Sequence, residues 1–181
     1  MNADRLVAIE SIREALSGVE LSWSEPRTGL FSVTLPGTHK LSTECALDVG
    51  PHAVNLRAFV ARNPDENHQA VYRWLLMRNL KLYGVAFSVD ALGDIYLTGR
   101  VALTGVTVDE VDRLLGAVAD AADSSFNPIL ELGFADSIRR EWAWRRSRGE
   151  STANLAAFAH LDPGSVPQAP LQPGSTDPTS P

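Results

Sequence analysis

Short runs in which apolar and polar residues alternate fill the chain from position 19 to position 62. Prolines and glycines separate these runs, as at Pro36-Gly37 and Gly50-Pro51. Successive side chains of a strand point to opposite faces of a sheet, so each run predicts a strand with one buried face. Connections this short join antiparallel neighbours. The segment therefore predicts an antiparallel sheet, and it leaves open whether three or four strands precede the next helix.

Helical patterns flank this segment on both sides. Leucines and isoleucines at three- and four-residue spacing predict a first helix over about residues 3–17. Asn63-Pro64 predicts the start of a second helix, because asparagine caps helices well and proline suits the first helical position. A broad apolar face then extends from Val71 to Leu80.

A hairpin follows the second helix. Val85, Phe87 and Val89 alternate with polar residues, and a turn over residues 90–94 leads into a second strand that begins at Ile95. The period of two in both runs predicts a pair of strands in the same sheet.

Further helices complete the chain. Thr107, with Glu110 three residues later, forms a capping-box pattern that predicts a helix start. Asn127-Pro128 predicts an interruption and a short new helix that ends at Gly133. A last helix is predicted over about residues 136–148.

The order of these elements, α-β-β-β-α-β-β-α with an additional C-terminal helix, predicts an α+β fold. Helices would pack on one face of the antiparallel sheet. Residues 1–148 are expected to form a single domain. Residues 149–181 are rich in Pro, Gly, Ser and Thr and offer too little apolar surface to offset the entropy of ordering, which predicts a largely disordered tail.

The charge balance limits the partners. A formal net charge of −6 disfavours a broad nucleic-acid footprint and binding to an anionic membrane surface, although a local basic patch is compatible with it. The single cysteine, Cys45, suits a reducing compartment. The first residues lack the pattern of a signal peptide, and no apolar run approaches the roughly 18 residues that span a bilayer. The expected location is the cytoplasm.

Catalytic motifs are missing from the sequence. The histidines His39, His52, His68 and His160 have no metal-ligand spacing with one another or with Cys45. Cys45 lies in a predicted strand, where a free cysteine usually acts as a small buried hydrophobe. The glycines do not form a nucleotide loop, and neither G-x-S-x-G nor H-E-x-x-H occurs. The sequence therefore predicts no catalytic, cofactor or metal site, and no enzyme.

One segment combines arginines with tryptophans, at residues 139–148. Such side chains can stack on bases and hold phosphates. On a helix, however, Trp142 and Trp144 lie about 200° apart and cannot share a face. We expect one tryptophan to pack inward and the arginines to form a solvated, basic helix end.

The stretch from Asn67 to Phe134 carries motifs of a known family: AVYRWLLMRN at 70–79, YGVAFSVD at 83–90, GDIYLTGR at 93–100 and FNPILELGF at 126–134. With these motifs the chain resembles an actinobacterial member of the YbjN-domain proteins, which are described as sensory-transduction regulators. The resemblance implies a fold similar to type III secretion chaperones, which are commonly homodimers that hold an extended client segment on an apolar surface. It supplies no catalytic residues and no pathway.

The first functional hypothesis is a non-catalytic, chaperone-like or regulatory protein-binding module that acts as a homodimer and binds an unidentified client protein. A client would use an exposed apolar patch or an open sheet edge. The candidate contact residues lie on the first helix and around the late hairpin, and an ordinary core would require the same periodic positions. They are Leu6, Ile9, Ile12, Tyr83, Phe87, Tyr96 and Leu97.

The second hypothesis is a small-molecule-sensing regulator with a pocket between the sheet and the helices. Arg57, Arg78 and Arg100 would anchor an anionic ligand there, because guanidinium groups pair well with carboxylates and phosphates. Each of them also suits an ordinary position on the surface. An enzyme would require ionisable groups that converge in a cleft, which the spacings do not indicate.

Overall fold

A computed structural model of the protein describes residues 3–164. Its elements, in chain order, are α1 (Ala3–Ser17), β1 (Ser22–Arg27), β2 (Leu30–Pro36), β3 (Ser42–Val49), β4 (Ala53–Ala61), α2 (His68–Asn79), β5 (Val85–Val89), β6 (Ile95–Ala102), a 3-10 turn (Leu103–Gly105), α3 (Val108–Gly133), α4 (Ala135–Arg148) and a 3-10 segment (Ala153–Leu161).

The six strands form one antiparallel sheet in the order β1-β2-β3-β4-β6-β5. The predicted α+β class and antiparallel sheet are confirmed. Four strands precede α2, which settles the strand number that the sequence left open. Since β6 lies between β4 and β5, the late hairpin joins the sheet through its second strand.

The core lies between the helices and one face of the sheet. Helices α1, α2 and α3 contact the sheet, and on β2, β3 and β4 the buried residues that face them alternate with half-buried or exposed ones. This is the pattern of a sheet that is buried on one side. The largest fully buried side chains are Phe31, Ile9, Ile12, Leu16, Ile95, Leu97, Ile129, Val33, Val49, Val60, Val71 and Val118.

Helix α3 is longer than the sequence predicted. Its start is confirmed, because the Thr107 hydroxyl accepts a hydrogen bond from the Glu110 amide at 3.2 Å. The predicted interruption at Asn127-Pro128 is wrong, since α3 continues through Pro128 to Gly133. Proline removes one helical hydrogen bond, but buried residues recur at helical spacing on both sides of it, and this packing keeps the helix continuous.

Helix α2 begins later than predicted. Asn63-Pro64 does not start it; the helix begins at His68, after Asn67 in the left-handed conformation with φ of 52°. Tertiary hydrogen bonds hold residues 63–66 in a loop instead. The Asn63 amide donates to Asp94, and the amides of Asp65 and Glu66 both donate to the carbonyl of Gly133.

The described chain forms two compact units, residues 3–135 and residues 136–164. In the second unit, Trp142 is buried and its indole N–H donates to the carbonyl of Phe158 at 3.3 Å, whereas Trp144 is exposed. The two tryptophans thus point differently, as their spacing predicted. Part of the predicted tail forms the 3-10 segment, and the disorder predicted for residues 165–181 lies outside the described residues.

Candidate interaction surfaces

Four of the predicted contact residues belong to the core. Ile9, Ile12, Phe87 and Leu97 are buried beneath the helices or on the covered face of the sheet. Side chains that already contact the interior have no area left for a partner. The structure therefore assigns these four to the core rather than to a contact surface, which corrects their selection as contacts.

The other three contact candidates are at least partly exposed, but they do not form one patch. Leu6 is exposed on α1, Tyr83 follows α2, and Tyr96 lies on the uncovered face of β6. The Tyr83 hydroxyl is hydrogen-bonded to the carboxylate of Glu110 at 2.9 Å, and the Arg113 guanidinium lies over its ring. Tyr83 is thus tied to the start of α3.

The three candidate anion-binding arginines do not converge. Arg57 and Arg100 lie on the sheet face opposite the helices, because they alternate with buried residues on β4 and β6. Arg78 lies on α2, where it donates to the Ser124 hydroxyl at 2.9 Å. The structure therefore places none of these three arginines together with another between the sheet and the helices.

The cavity between the sheet and the helices is small. It has a volume of about 10 Å³, which is close to the minimum that holds one water molecule. Its lining is apolar except for Glu110, and it consists of Ile12, Leu47, Val54, Leu56, Val101, Val106, Glu110, Val111 and Leu114. A metabolite does not fit in this cavity without rearrangement of the residues that line it.

The outer face of α2 carries the most exposed apolar group of the helical layer. Leu76 is 68% exposed, Met77 59% and Leu80 88%, and together with Tyr72 they line an open groove of about 680 Å³. We call these four residues the α2 stripe. The sequence predicted one broad apolar face on this helix, but Val71 and Leu75 face the core and the α2 stripe faces outward.

A second exposed group lies on the uncovered face of the sheet. Phe59 on β4 and Tyr96 on β6 are cross-strand neighbours, with ring centroids 5.5 Å apart in an edge-to-face arrangement. The Arg57 guanidinium lies 3.8 Å from the Tyr96 centroid, and the Lys40 ammonium lies 5.3 Å from that of Phe59. We call these four residues the ring cluster. Sequence reasoning selected Tyr96 and Arg57 but missed Phe59, although its place in an alternating run put it on the polar face.

The two edges of the sheet are obstructed. On β5, the Asn79 side chain accepts a hydrogen bond from the Phe87 amide at 2.7 Å and donates one to the Phe87 carbonyl at 3.3 Å. It therefore occupies the groups that a further strand would use. On β1, Pro26 has no N–H, and the register shifts between Ser24 and Arg27.

Asp123 on α3 fastens the loop between β2 and β3. One oxygen of its carboxylate accepts hydrogen bonds from the amides of Thr38, His39 and Lys40 at 2.7–2.9 Å, and the other contacts the His39 ring. These donors, led by the Lys40 amide, lower the pKa of Asp123 to about 2. All of these donors belong to the loop between β2 and β3, so the contact fixes that loop to α3.

The described residues show no arrangement that indicates metal chemistry. Within residues 3–164, no three His, Cys, Asp or Glu side chains are grouped so as to hold a metal ion. Cys45 is buried, and this burial raises the pKa of its thiol to about 12. In the same part of the chain, no helix combines the length and apolar character that a membrane span requires.

Two solved complexes contain chains of similar structure. The first is the ExsC-ExsE complex, with 18% identity and a TM-score of 0.45 over 69% of this chain and 94% of that chain. The second is the heterodimeric ExoU-SpcU complex from the type III secretion system of Pseudomonas aeruginosa, with 16% identity and a TM-score of 0.45 over 66% and 93%.

Sequence comparison identifies nearer relatives. Uncharacterized proteins of Mycobacterium tuberculosis (Rv0487) and Mycobacterium bovis (Mb0497) are each 53% identical over 163 residues, which cover 87% of this chain and 89% of theirs. A Mycobacterium leprae protein (ML2442) is 51% identical over 159 residues, covering 85% and 86%. Residues 8–131 match the YbjN family, described as "Putative bacterial sensory transduction regulator". The resemblance noted in the sequence is thus confirmed, and the chain belongs to the YbjN family.

Proposed function

We propose that this chain is a non-catalytic, chaperone-like or regulatory protein-binding module that acts as a cytoplasmic homodimer. The observation that carries the proposal is the α2 stripe, in which Leu76, Met77 and Leu80 each expose more than half of their surface. Contiguous exposed apolar side chains on a soluble protein mark an interaction surface, because burying them releases about 25 cal/mol per Å².

A second copy of the chain is the occupant that suits the α2 stripe best. A two-fold axis across α2 brings the stripe onto itself, so that apolar side chains meet apolar side chains. The polar residues of the groove are Gln69 and Arg73. They lie one turn or less from Tyr72 and Leu76, where they can remain solvated at the rim of such an interface.

The client protein requires a separate surface. Because Asn79 and Pro26 obstruct the two edges of the sheet, we expect binding in a groove rather than by strand addition. One such groove, of about 480 Å³, lies between α1 and the start of α3. Val7 is 63% exposed there, and Leu103 and Val106 form part of its apolar wall.

The solution mass of the full chain tests the homodimer. Light scattering over a range of concentrations should give twice the chain mass of 19.6 kDa. Replacing Leu76 and Leu80 together by glutamate should yield a folded monomer, because the charges would be buried in the interface without partners. A protein that remains monomeric at every concentration, or a dimer that tolerates both substitutions, contradicts the proposal.

Leu92→Glu is the matched control, since Leu92 is equally apolar and 76% exposed but lies in the turn between β5 and β6. This variant should remain dimeric. Val7→Glu then tests the client groove: proteins captured by the wild-type chain should be lost, while the dimer mass stays unchanged. Equal capture by the Val7→Glu variant would place the client elsewhere.

A further inference from the structure

We propose that the uncovered face of the sheet binds single-stranded nucleic acid, with bases stacked on the ring cluster. The inference concerns the opposite layer of the molecule from the α2 stripe and does not rest on the homodimer. Three observations carry it: the exposure of two rings, the cations beside them, and the flat, weakly charged surface around them.

The rings are displayed where a base can reach them. Phe59 is 40% exposed and Tyr96 is partly exposed, and both project from strands that have a partner strand on each side. Their backbones are fixed by the β4–β6 ladder, in which the two residues stand directly opposite each other. Antiparallel sheets use aromatic side chains on inner strands in this way to stack the bases of single-stranded RNA.

Cations flank the rings on both sides. Arg57 lies against Tyr96, and its ion pair with Asp90 is long, at 3.5 Å, while the other oxygen of that carboxylate accepts the amides of Leu92 and Asp94. The Lys40 ammonium lies beside Phe59, whose carbonyl it contacts. A guanidinium on a ring offers both a stacking plane and donors to a phosphate.

Arg100 extends the cationic character along β6. Its Nε donates to the Asn55 side chain at 2.8 Å, and it forms no ion pair with any residue between positions 3 and 164. The charged residues that the strands place on this face are three arginines and two acids, a balance of plus one, whereas the whole chain carries −6. They are Arg27, Arg57, Arg100, Glu44 and Asp48.

The surface around the ring cluster is low enough for an extended strand to lie across it. The row of residues that crosses all six strands at Arg57 is otherwise small. Its members are Ser24, Ser32, Ala46, Arg57, Thr98 and Ala86. Flat surroundings, exposed rings and flanking cations are the features that bind single strands without regard to sequence.

Fluorescence anisotropy with a labelled oligouridine of about ten nucleotides tests the inference on the full chain at about 0.05 M salt. We expect saturable binding that weakens steeply as salt rises. Replacing Phe59 and Tyr96 together by serine should weaken binding by about tenfold or more, because two stacking partners are lost. Arg57→Gln keeps both rings and should lower the slope of the salt dependence.

Controls separate this face from the rest of the molecule. Lys81→Gln removes one positive charge just beyond α2, and Trp144→Ala removes an exposed ring from α4; both variants should bind like the wild type. Circular dichroism confirms that each variant is folded. Competition with free uridine monophosphate distinguishes a site for a single nucleotide from a site for an extended strand. Displacement of the labelled oligouridine by the monophosphate indicates the first, and displacement by an unlabelled oligomer alone indicates the second.

Four results would overturn the inference. They are the absence of binding at low salt, equal binding by the Phe59 and Tyr96 double variant, loss of binding only in Trp144→Ala, and displacement by polyglutamate as effective as by oligouridine. The last result would identify the face as a general anion site for acidic protein segments.

Discussion

The two faces of the sheet use the same strands for different purposes. On the covered face, side chains such as Phe31, Val33 and Leu97 are buried against helices, and any apolar residue of similar size would satisfy the pattern. On the uncovered face, most residues are small or hydroxylated, and the two aromatic rings of β4 and β6 lie together in the ring cluster. Stability is therefore expected to depend mainly on the covered face, and the uncovered face is the one whose side chains remain accessible.

The largest expected effect on stability comes from a matched pair of substitutions, one on each face of the sheet. Phe31→Ala should lower the free energy of unfolding by about 3–5 kcal/mol, because it empties a fully buried site. Phe59→Ala, the same change on the uncovered face, should cost about 1 kcal/mol or less. Urea denaturation of both variants measures the difference. Similar losses would show that the uncovered face is also packed in solution.

The Asp123 contact sharpens the comparison, since it joins the loop between β2 and β3 to the helical layer. Its folded pKa of about 2 lies below the ordinary value of 3.8, so the contact stabilises the fold above about pH 4. That contribution should disappear as the pH falls from about 4 to 2.

Asp123→Asn should therefore cost about 2 kcal/mol at neutral pH and flatten the stability curve in this acid range. Asp120→Asn, an exposed carboxylate on the same helix, is the control and should leave both unchanged. If the stability of Asp123→Asn still falls between about pH 4 and pH 2, that loss arises from other carboxylates.

The smallest effect on stability is expected at the β5 edge of the sheet. Asn79→Ala removes two hydrogen bonds to β5, and we expect a loss of about 1 kcal/mol. The opened edge should also add to other strands, so light scattering should show species above the wild-type mass that grow with concentration. Lys81→Ala, an exposed change just beyond α2, should do neither. An unchanged mass for Asn79→Ala would show that the edge is closed by other means.

Much of this architecture follows from periodicity. The predicted first helix over 3–17 agrees with α1 at Ala3–Ser17, and the alternation of the strands located the buried face. The errors arose where local signals met tertiary contacts. Pro128 lies inside a helix because packing outweighs one lost hydrogen bond, and Asn63-Pro64 lies in a loop because Asp94 and Gly133 hold it.

The surfaces were harder to predict than the core. Periodicity identifies apolar positions but cannot state which of them a neighbouring element covers, so Ile9 and Phe87 were selected as contacts although they are buried. On α2, the sequence does contain a signal for the α2 stripe: the apolar face is too wide to be covered by the core alone. The grouping of Phe59 and Arg57 with Tyr96 required the strand order, because only the β4–β6 pairing places Tyr96 beside them.

The buried thiol of Cys45 has a practical consequence. The chain has a single cysteine, so a maleimide dye has one possible target, and with a pKa of about 12 and a position in the core that target is unreactive while the fold is intact. The rate of labelling thus follows the opening of the domain. Slower labelling of the purified chain after addition of another protein would then report that this protein protects the fold.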